Sequence, residues 1–482
     1  MSRYQNYIGG EWVDAASGDT FVSVNPVNTT EVLGEFAKSD ETDVTAAVEA
    51  AAKAFPEWRS TPAPVRGQIF FKAVQKLEER ADEFTTELAR ESGKTLAEAR
   101  GEVNRSIAAM RILAGESTRL CGQTIPSQTP GVFAYTTLEP VGVVALIAPW
   151  NFPLGIAAWK ITPALIAGNT AVFKPASNTP LISVMFIQLL EECGLPKGVL
   201  NMITGPGGPA GRVLSTHPQV KALSFTGSTE VGTALGKIVC ERGARMQAEM
   251  GGKNPFVILA DADLDLAVDH IIFGGFGECG QRCTATSRVI VERSVAEALT
   301  DKLVSKAKQI TVGNPLDAET TMGAVVDVGQ VKTFEHYVAI GKQEGAKLLL
   351  GGNRLTEGEY ANGYFVEPTI FTDVTPEMTI AQEEIFGPVV SIMVVDSFEQ
   401  ALEWSNHVPF GLSSTIYTND LRKAQAYIDG IEAGVTHVNL PSTYSESQFP
   451  FGGIKQTSLG PREQGKSAIE FYVELKTVYM KA

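Results

Sequence analysis

Between Val141 and Ala260 the chain reads VGVVALIA (141–148), TAVFKP (170–175), VLNMIT (199–204), KALSFTG (221–227) and PFVILA (255–260). Each run is short, apolar and rich in β-branched residues, the pattern of a strand buried on both faces. Helix-like segments near 155–167, 181–193, 208–216 and 229–242 separate them. Strand, helix, strand at this spacing predicts a parallel, doubly wound α/β sheet whose ligands sit at the carboxyl ends of the strands. Upstream, residues 3–35 read as short strands with Gly9-Gly10 as a hairpin signal, and Asp43 to Arg119 as helices. Downstream, helix-like segments at 263–276 and 294–310 lead into a further α/β stretch to about residue 440. There is no repeat and no low-complexity linker. The change near Gly251-Gly252 is the expected domain boundary.

Composition narrows the function class. The chain has 482 residues, 44% hydrophobic and 20% charged, the profile of a globular protein of several domains. A net charge of −15 argues against a protein that coats nucleic acid, but leaves room for a local basic pocket. The start, MSRYQNYIGGEWV, carries no secretory pattern, and no apolar run is long enough to span a membrane. Five cysteines, at 121, 193, 240, 279 and 283, suit free thiols in a reducing cytoplasm. No Cys or His completes a metal-ligand set around Cys279 and Cys283, so no metal is expected.

Three places carry chemical promise. GECGQRCTATSR surrounds Cys283, a candidate nucleophile, with glycine and polar residues, and Arg282 can favour its thiolate. QAEMGGKNP offers Glu249, a carboxylate able to activate water. Asn151, in PWNFP at a strand end, is either a turn residue or an amide donor to an oxyanion. In TGSTEVG, Gly227 and Gly232 either serve a tight strand-to-helix turn or let a phosphate approach the helix N-terminus. Lys174 adds a cation at the end of a neighbouring strand. Cys279 reads as a structural thiol, with a redox partner of Cys283 as the alternative.

PWNFP, FKPAS, FTGSTEVG, EMGGKNP, GQRCTA, EEIFGPV and PFGGIK occur in this order over most of the chain. Together they resemble the aldehyde dehydrogenase superfamily. The resemblance implies that Cys283 attacks the aldehyde carbon, that Asn151 and the Cys283 backbone N–H hold the oxyanion, and that Glu249 activates the water that hydrolyses the thioester. It further implies that Lys174 binds the adenine-side ribose and Ser228 the pyrophosphate beside Gly227. Glu384 would hold the nicotinamide ribose, with Phe386 and Trp150 packing nearby. Retention of Glu249 favours hydrolysis over transfer of the acyl group to coenzyme A. Retention of the whole set disfavours a non-enzymatic member.

Related NAD-preferring enzymes often carry an acidic residue at the place of Ser177. A carboxylate there would repel a 2′-phosphate, whereas serine leaves room and a donor, so NADP is expected to be accepted alongside NAD. Succinate-semialdehyde members commonly place arginines where this chain has Trp159 and Gly277. GQRCTATSR and GGIKQTSLGPREQG look more like the 2-oxoglutarate semialdehyde (2,5-dioxopentanoate) dehydrogenases, with a succinate-semialdehyde or broad-specificity enzyme as the alternative. The substrate is thus expected to be a small aldehyde bearing a carboxylate, met by Arg282, Arg105 or Arg111, with Trp159 and Phe451 beside it. Arg111 equally reads as a solvated helix charge. The implied architecture has a Rossmann-like doubly wound NAD(P)-binding domain (1–122 and 142–252) and an α/β catalytic domain (253–440). A small β oligomerisation element (123–141 with the tail 441–482) completes it. The apolar tail strand EFYVELKTVYMK would be an open edge in a monomer, so a homodimer or homotetramer is expected.

Overall fold

The computed structural model describes residues 2–481. Its first large sheet has eight strands, in the order Ser458–Leu459, Arg245–Glu249, Val220–Thr226, Val143–Ile147, Thr170–Lys174, Leu200–Met202, Asn6–Ile8, Glu11–Val13. The five strands from Arg245–Glu249 to Leu200–Met202 are parallel. Residue alternation explains why helices cover both faces. Val144 and Leu146 enter one apolar core while Val143 and Ala145 enter another on the opposite side. The chain builds outward from Val143–Ile147 through Thr170–Lys174 to Leu200–Met202. It then returns to place Val220–Thr226 on the other flank of Val143–Ile147. That reversal makes a topological switch point, and the crevice lies at the strands' carboxyl ends. The expected N-terminal hairpin forms through Gly9 and Gly10 at positive φ, and it extends the same sheet by pairing with Leu200–Met202.

PFVILA, beyond the boundary expected at Gly251-Gly252, is not a strand of this sheet; its residues form Asn254–Ile258 at the heart of a second, seven-stranded sheet. The place beside Val220–Thr226 belongs to Arg245–Glu249, whose charged ends hide it from a search for apolar runs. The second sheet runs Lys347–Leu350, Thr369–Thr372, Val389–Val395, Thr286–Glu292, Asn254–Ile258, Ser413–Tyr417, Val435–Val438. Only its first pair is antiparallel. Glu249 ends a strand of the first sheet, and Asn254 begins one of the second. Met250 to Lys253 therefore bridge the carboxyl edge of one sheet to the amino edge of the other.

The last forty residues do two things. Ser458–Leu459 pairs with Arg245–Glu249, bringing the segment around it back to the first sheet. Val473–Lys481 then pairs antiparallel with Val132–Pro140 over nine residues, as a two-stranded ribbon separate from both large sheets. On that ribbon Leu475 is 66% and Tyr479 74% exposed, with Phe133 and Met480 about half exposed. Among the described residues, no helix is long and apolar enough to cross a membrane.

Candidate active site

A cavity of about 320 Å³ opens where the two sheets meet, and it collects Asn151, Trp159, Glu249, Arg282, Cys283 and Phe451. Five side chains on its wall bury a polar atom with no partner: Arg105 Nε, Thr226 Oγ1, Glu249 Oε1, Arg282 Nε and Thr443 Oγ1. Buried polar groups are nearly always hydrogen-bonded, so such a concentration marks a wall built for a polar ligand.

Cys283 hangs from a strained loop. Glu278, Cys279 and Gly280 all adopt positive φ (50°, 56° and 67°), which for the two non-glycine residues costs roughly 1–3 kcal/mol each. Buried charge holds the loop in place. Lys94 Nζ donates to Glu102 (2.6 Å) and to Glu278 (3.2 Å), and Arg282 donates to Glu278 (2.8 Å). The Glu278 N–H donates to Glu98 (2.6 Å). Cys279 is buried, and its thiol donates to the Gly323 carbonyl (3.3 Å), a structural contact. The Cys283 thiol is pushed up to about 12, first by burial and then by the Glu384 and Glu249 carboxylates, while Arg105 and the Thr284 N–H pull it down. Burial thus favours the neutral thiol over the thiolate.

Asn151 begins the loop before the helix Pro153–Ile166. The Lys94 ammonium donates to its carbonyl (2.8 Å), and Glu102 caps the helix by accepting from Leu154 and Gly155 N–H (2.9 and 3.0 Å). Lys94 thus ties the Asn151 loop to the Cys283 loop through one ammonium. The Asn151 side chain donates to the Gln281 carbonyl (2.9 Å), which aims the amide at the Cys283 loop. An amide group has a second N–H.

Glu249 is 3% exposed and accepts from Ser458 Oγ (2.5 Å) through Oε2. Burial, then the charge of Glu463, holds its carboxyl well above the usual range; the Ser458 hydroxyl, Arg462 and Lys160 act the other way. Behind it lies a buried pair in which Lys160 Nζ donates to Glu463 and to Ser224 Oγ (2.7 Å), and Trp159 Nε1 donates to Glu463 (2.9 Å).

Lys174 and Ser228 lie at the carboxyl ends of strands of the first sheet, whereas Glu384 and Phe386 lie in the loop before Val389–Val395 of the second. Lys174 is buried, its ammonium donates, among the described residues, only to the Pro175 carbonyl (2.7 Å), and burial holds it down to about 8. Ser228 caps the helix Thr229–Glu241 by accepting from the Val231 N–H (3.4 Å), which leaves earlier N–H groups free for an anion. A side chain at Gly227 would strike the Phe225 ring, and one at Gly232 would strike Met250, so the glycines keep this helix close to the sheet. Glu384 accepts from the Gly252 N–H (2.9 Å) and is pushed up to about 7 by burial, against that N–H and Lys253. Phe386 sits at φ 56°, with Gln330 donating to its carbonyl (2.8 Å) and to that of Ile385 (3.0 Å). Its ring meets Trp150 edge-on at 5.3 Å. Ser177 departs from its expectation in one respect: its hydroxyl donates to the Gly205 carbonyl (2.7 Å), so it offers space and lone pairs rather than a free donor.

The substrate candidates divide. Trp159 and Phe451 both line the cavity as a tilted aromatic pair with ring centres 6.3 Å apart, and Arg282 and Arg105 are on its wall. Arg111 is not. Its side chain is 53% exposed and paired with Glu78 (2.5 Å), the solvated helix charge of the alternative reading.

The aldehyde dehydrogenase family model matches residues 12–478. The chain belongs to the aldehyde dehydrogenase family. It is 46% identical over 481 residues to the alpha-ketoglutaric semialdehyde dehydrogenase of Bacillus subtilis (strain 168), covering 100% of this chain and 99% of the relative. It is 41% identical to the 2,5-dioxopentanoate dehydrogenase of Saccharolobus solfataricus, with 99% of each covered. A crystal structure of an NAD-dependent aldehyde dehydrogenase from Sinorhizobium meliloti superposes with a TM-score of 0.96 at 37% identity, covering 100% of this chain and 95% of that one. The protein is accordingly an NAD(P)-dependent aldehyde dehydrogenase.

A buried ammonium and a helix N-terminus at strand ends of the first sheet, with a partly buried carboxylate on the loop before Val389–Val395, are groups of the kind that the riboses and phosphates of such a dinucleotide require. For this dehydrogenase, motif reading missed Lys94, Glu98, Glu102 and Glu278, which brace the Cys283 and Asn151 loops. It also missed Lys160, Glu463 and Ser458, which surround Glu249. The one available signal was TLAE at 95–98, a capping box that the structure forms.

Proposed function

We propose that the enzyme oxidises a small aldehyde carrying a distal carboxylate, 2-oxoglutarate semialdehyde (2,5-dioxopentanoate), to the dicarboxylic acid 2-oxoglutarate through an acyl-enzyme on Cys283. The observation that carries the reading is that Cys283, Glu249 and Asn151 line one cavity of substrate size. The Cys283 thiol gives its proton to solvent water, and the resulting thiolate adds to the aldehyde carbon. The new oxyanion accepts from the second N–H of Asn151 and from the Cys283 backbone N–H. Bound NAD(P) supplies the acceptor for the hydride that leaves this carbon. A thioester then remains on Cys283. Glu249 takes a proton from water as the oxygen attacks the thioester carbonyl, and the thiolate departs. Glu249 supports hydrolysis over passage of the acyl group to coenzyme A.

For the cofactor, Lys174 would hold the adenine-side ribose, Gly227 and Ser228 the pyrophosphate, and Glu384 the nicotinamide ribose, with Phe386 and Trp150 packing beside it. NADP is accepted as well as NAD on this reading, because Ser177 puts no negative charge beside the 2′ position. Lys38, exposed and with its backbone packed against Gly205, adds a cation on the same rim. Residues 1–122 and 142–252 serve as the NAD(P)-binding unit and 253–440 as the catalytic unit, to which Thr443–Glu463 contribute cavity wall. The ribbon of Val132–Pro140 and Val473–Lys481 serves assembly of a homodimer or homotetramer in the cytoplasm. Light scattering should give two or four times the 51.6 kDa subunit mass; a monomer would contradict this.

The test is a substrate panel with both cofactors on purified enzyme. Five-carbon ω-oxo acids should give a higher kcat/KM than aromatic or long-chain aldehydes, without coenzyme A. NADP should support turnover, and Ser177→Glu should move the NADP/NAD ratio of kcat/KM down by about tenfold or more, as one unfavourable charge contact predicts. Preference for long-chain aldehydes refutes the substrate class. No turnover with NADP refutes the cofactor reading.

A further inference from the structure

The helix Leu96–Glu116 turns one face to the cavity, presenting Ala97, Glu98, Gly101, Glu102 and Arg105 at helical spacing. At its inner end, one Nη of Arg105 donates to Ser445 Oγ, and its Nε is buried without a partner. Arg105 forms no ion pair among the described residues. Arg282 approaches from the Cys283 loop, stacked over Phe273 with its guanidinium carbon 5.0 Å from the ring centre. Its Nε also lacks a partner, but Glu278 already meets its charge at 2.8 Å. Two guanidinium side chains that line the cavity holding Cys283 therefore each keep one buried N–H without a partner, and only Arg282 has a carboxylate.

We propose that Arg105 and Arg282 form the subsite for the distal carboxylate of the substrate, with Arg105 the specificity-determining residue. The inference rests on the reading of this cavity as the place where Cys283 oxidises an aldehyde. A guanidinium presents planar pairs of N–H donors matched to a carboxylate, and a desolvated one gains most from meeting an anion. Arg282, neutralised by Glu278 and braced against Phe273, supplies a fixed N–H and fits a neutral oxygen or the second carboxylate oxygen. Arg105 supplies the uncompensated charge. Ser445 holds it by a hydroxyl, which orients the group without cancelling that charge. Trp159 donates its only N–H to Glu463, so the facing wall contributes aromatic surface and not an anion contact. A short chain with an aldehyde at one end and an anion at the other is selected, and an uncharged aldehyde leaves the Arg105 N–H unmet.

The experiment compares kcat/KM for a five-carbon ω-oxo acid and for pentanal in the wild type, Arg105→Met and Arg105→Lys. The ratio, acid over pentanal, is expected to fall about 100-fold in Arg105→Met, as loss of one partner of a buried charge pair predicts, and about tenfold in Arg105→Lys, which keeps the charge without the fork. Glutarate, an unreactive dicarboxylate, provides a readout independent of turnover. Its calorimetric Kd for the NAD(P)-loaded enzyme should weaken in the same order across the three proteins. A ratio in Arg105→Met within threefold of wild type, with the wild type still preferring the acid, overturns the role of Arg105 alone. A wild type that does not prefer the acid overturns the carboxylated substrate and this subsite together. Should Arg105→Met not fold, an Arg105→Lys ratio and glutarate Kd equal to wild type overturn the proposal.

Discussion

Replacing Cys283 with alanine is expected to lower kcat for aldehyde oxidation by about 10⁴-fold or more, because the covalent route is then closed. The substitution removes one sulfur atom facing a cavity, so the fold should survive it. The loop is held elsewhere, by Lys94, Arg282 and Glu98 acting on Glu278 and by the Cys279 thiol on Gly323. A melting temperature within a few degrees of wild type, together with intact dinucleotide binding, would separate chemistry from folding. Cys279→Ala makes the matching control, for its thiol is committed to a carbonyl and does not line the cavity. Substantial oxidation by Cys283→Ala would defeat the thiolate mechanism.

Glu249→Gln should stop the cycle halfway. In the proposed mechanism thioester formation needs Cys283 and the oxyanion donors, whereas hydrolysis needs the Glu249 carboxylate to take a proton from water. Steady-state turnover should fall about 10²- to 10⁴-fold, the usual worth of a general base. A rapid burst of NAD(P)H, near one per active site, should remain. The pH profile supplies a second signature. A base works only when deprotonated, and burial together with the neighbouring Glu463 raises the Glu249 pKa well above the usual carboxylate value. Wild-type deacylation should therefore climb with pH across a range where an ordinary glutamate is already fully ionised. Glu249→Gln should lose that limb. Loss of the burst along with turnover would show that Glu249 acts before the thioester forms.

Much of this site was legible because the chemistry concentrates in short segments at strand ends. PWNFP follows Val143–Ile147, FKPAS follows the core of Thr170–Lys174, FTGSTEVG leaves Val220–Thr226, and GQRCTA precedes Thr286–Glu292. The bracing groups were not legible. Glu98 and Glu102 sit on a helix of mixed charge, where a carboxylate ordinarily faces solvent, and nothing local shows that the helix lies against the Cys283 loop. Lys160 and Glu463 lie far apart in sequence and meet only because Ser458–Leu459 returns to the first sheet. Helix geometry decides between Arg105 and Arg111. At about 3.6 residues per turn, six positions carry a side chain roughly 240° around the axis. If one faces the cavity, the other faces water beside Glu78. Arg245–Glu249 escaped for a different reason: its strand identity comes from pairing with Val220–Thr226, not from its own composition.

In the proposed mechanism the acyl group rides on Cys283 and waits there for water activated by Glu249. The most direct measurement is mass spectrometry of Glu249→Gln quenched during turnover of the ω-oxo acid with NAD(P), followed by peptide mapping. An acyl adduct, near one per subunit and equal to the NAD(P)H burst, is expected on the peptide that carries Cys283. Its position should be Cys283 and not Cys279. A full burst with no protein adduct, or an adduct confined to another residue, would contradict it.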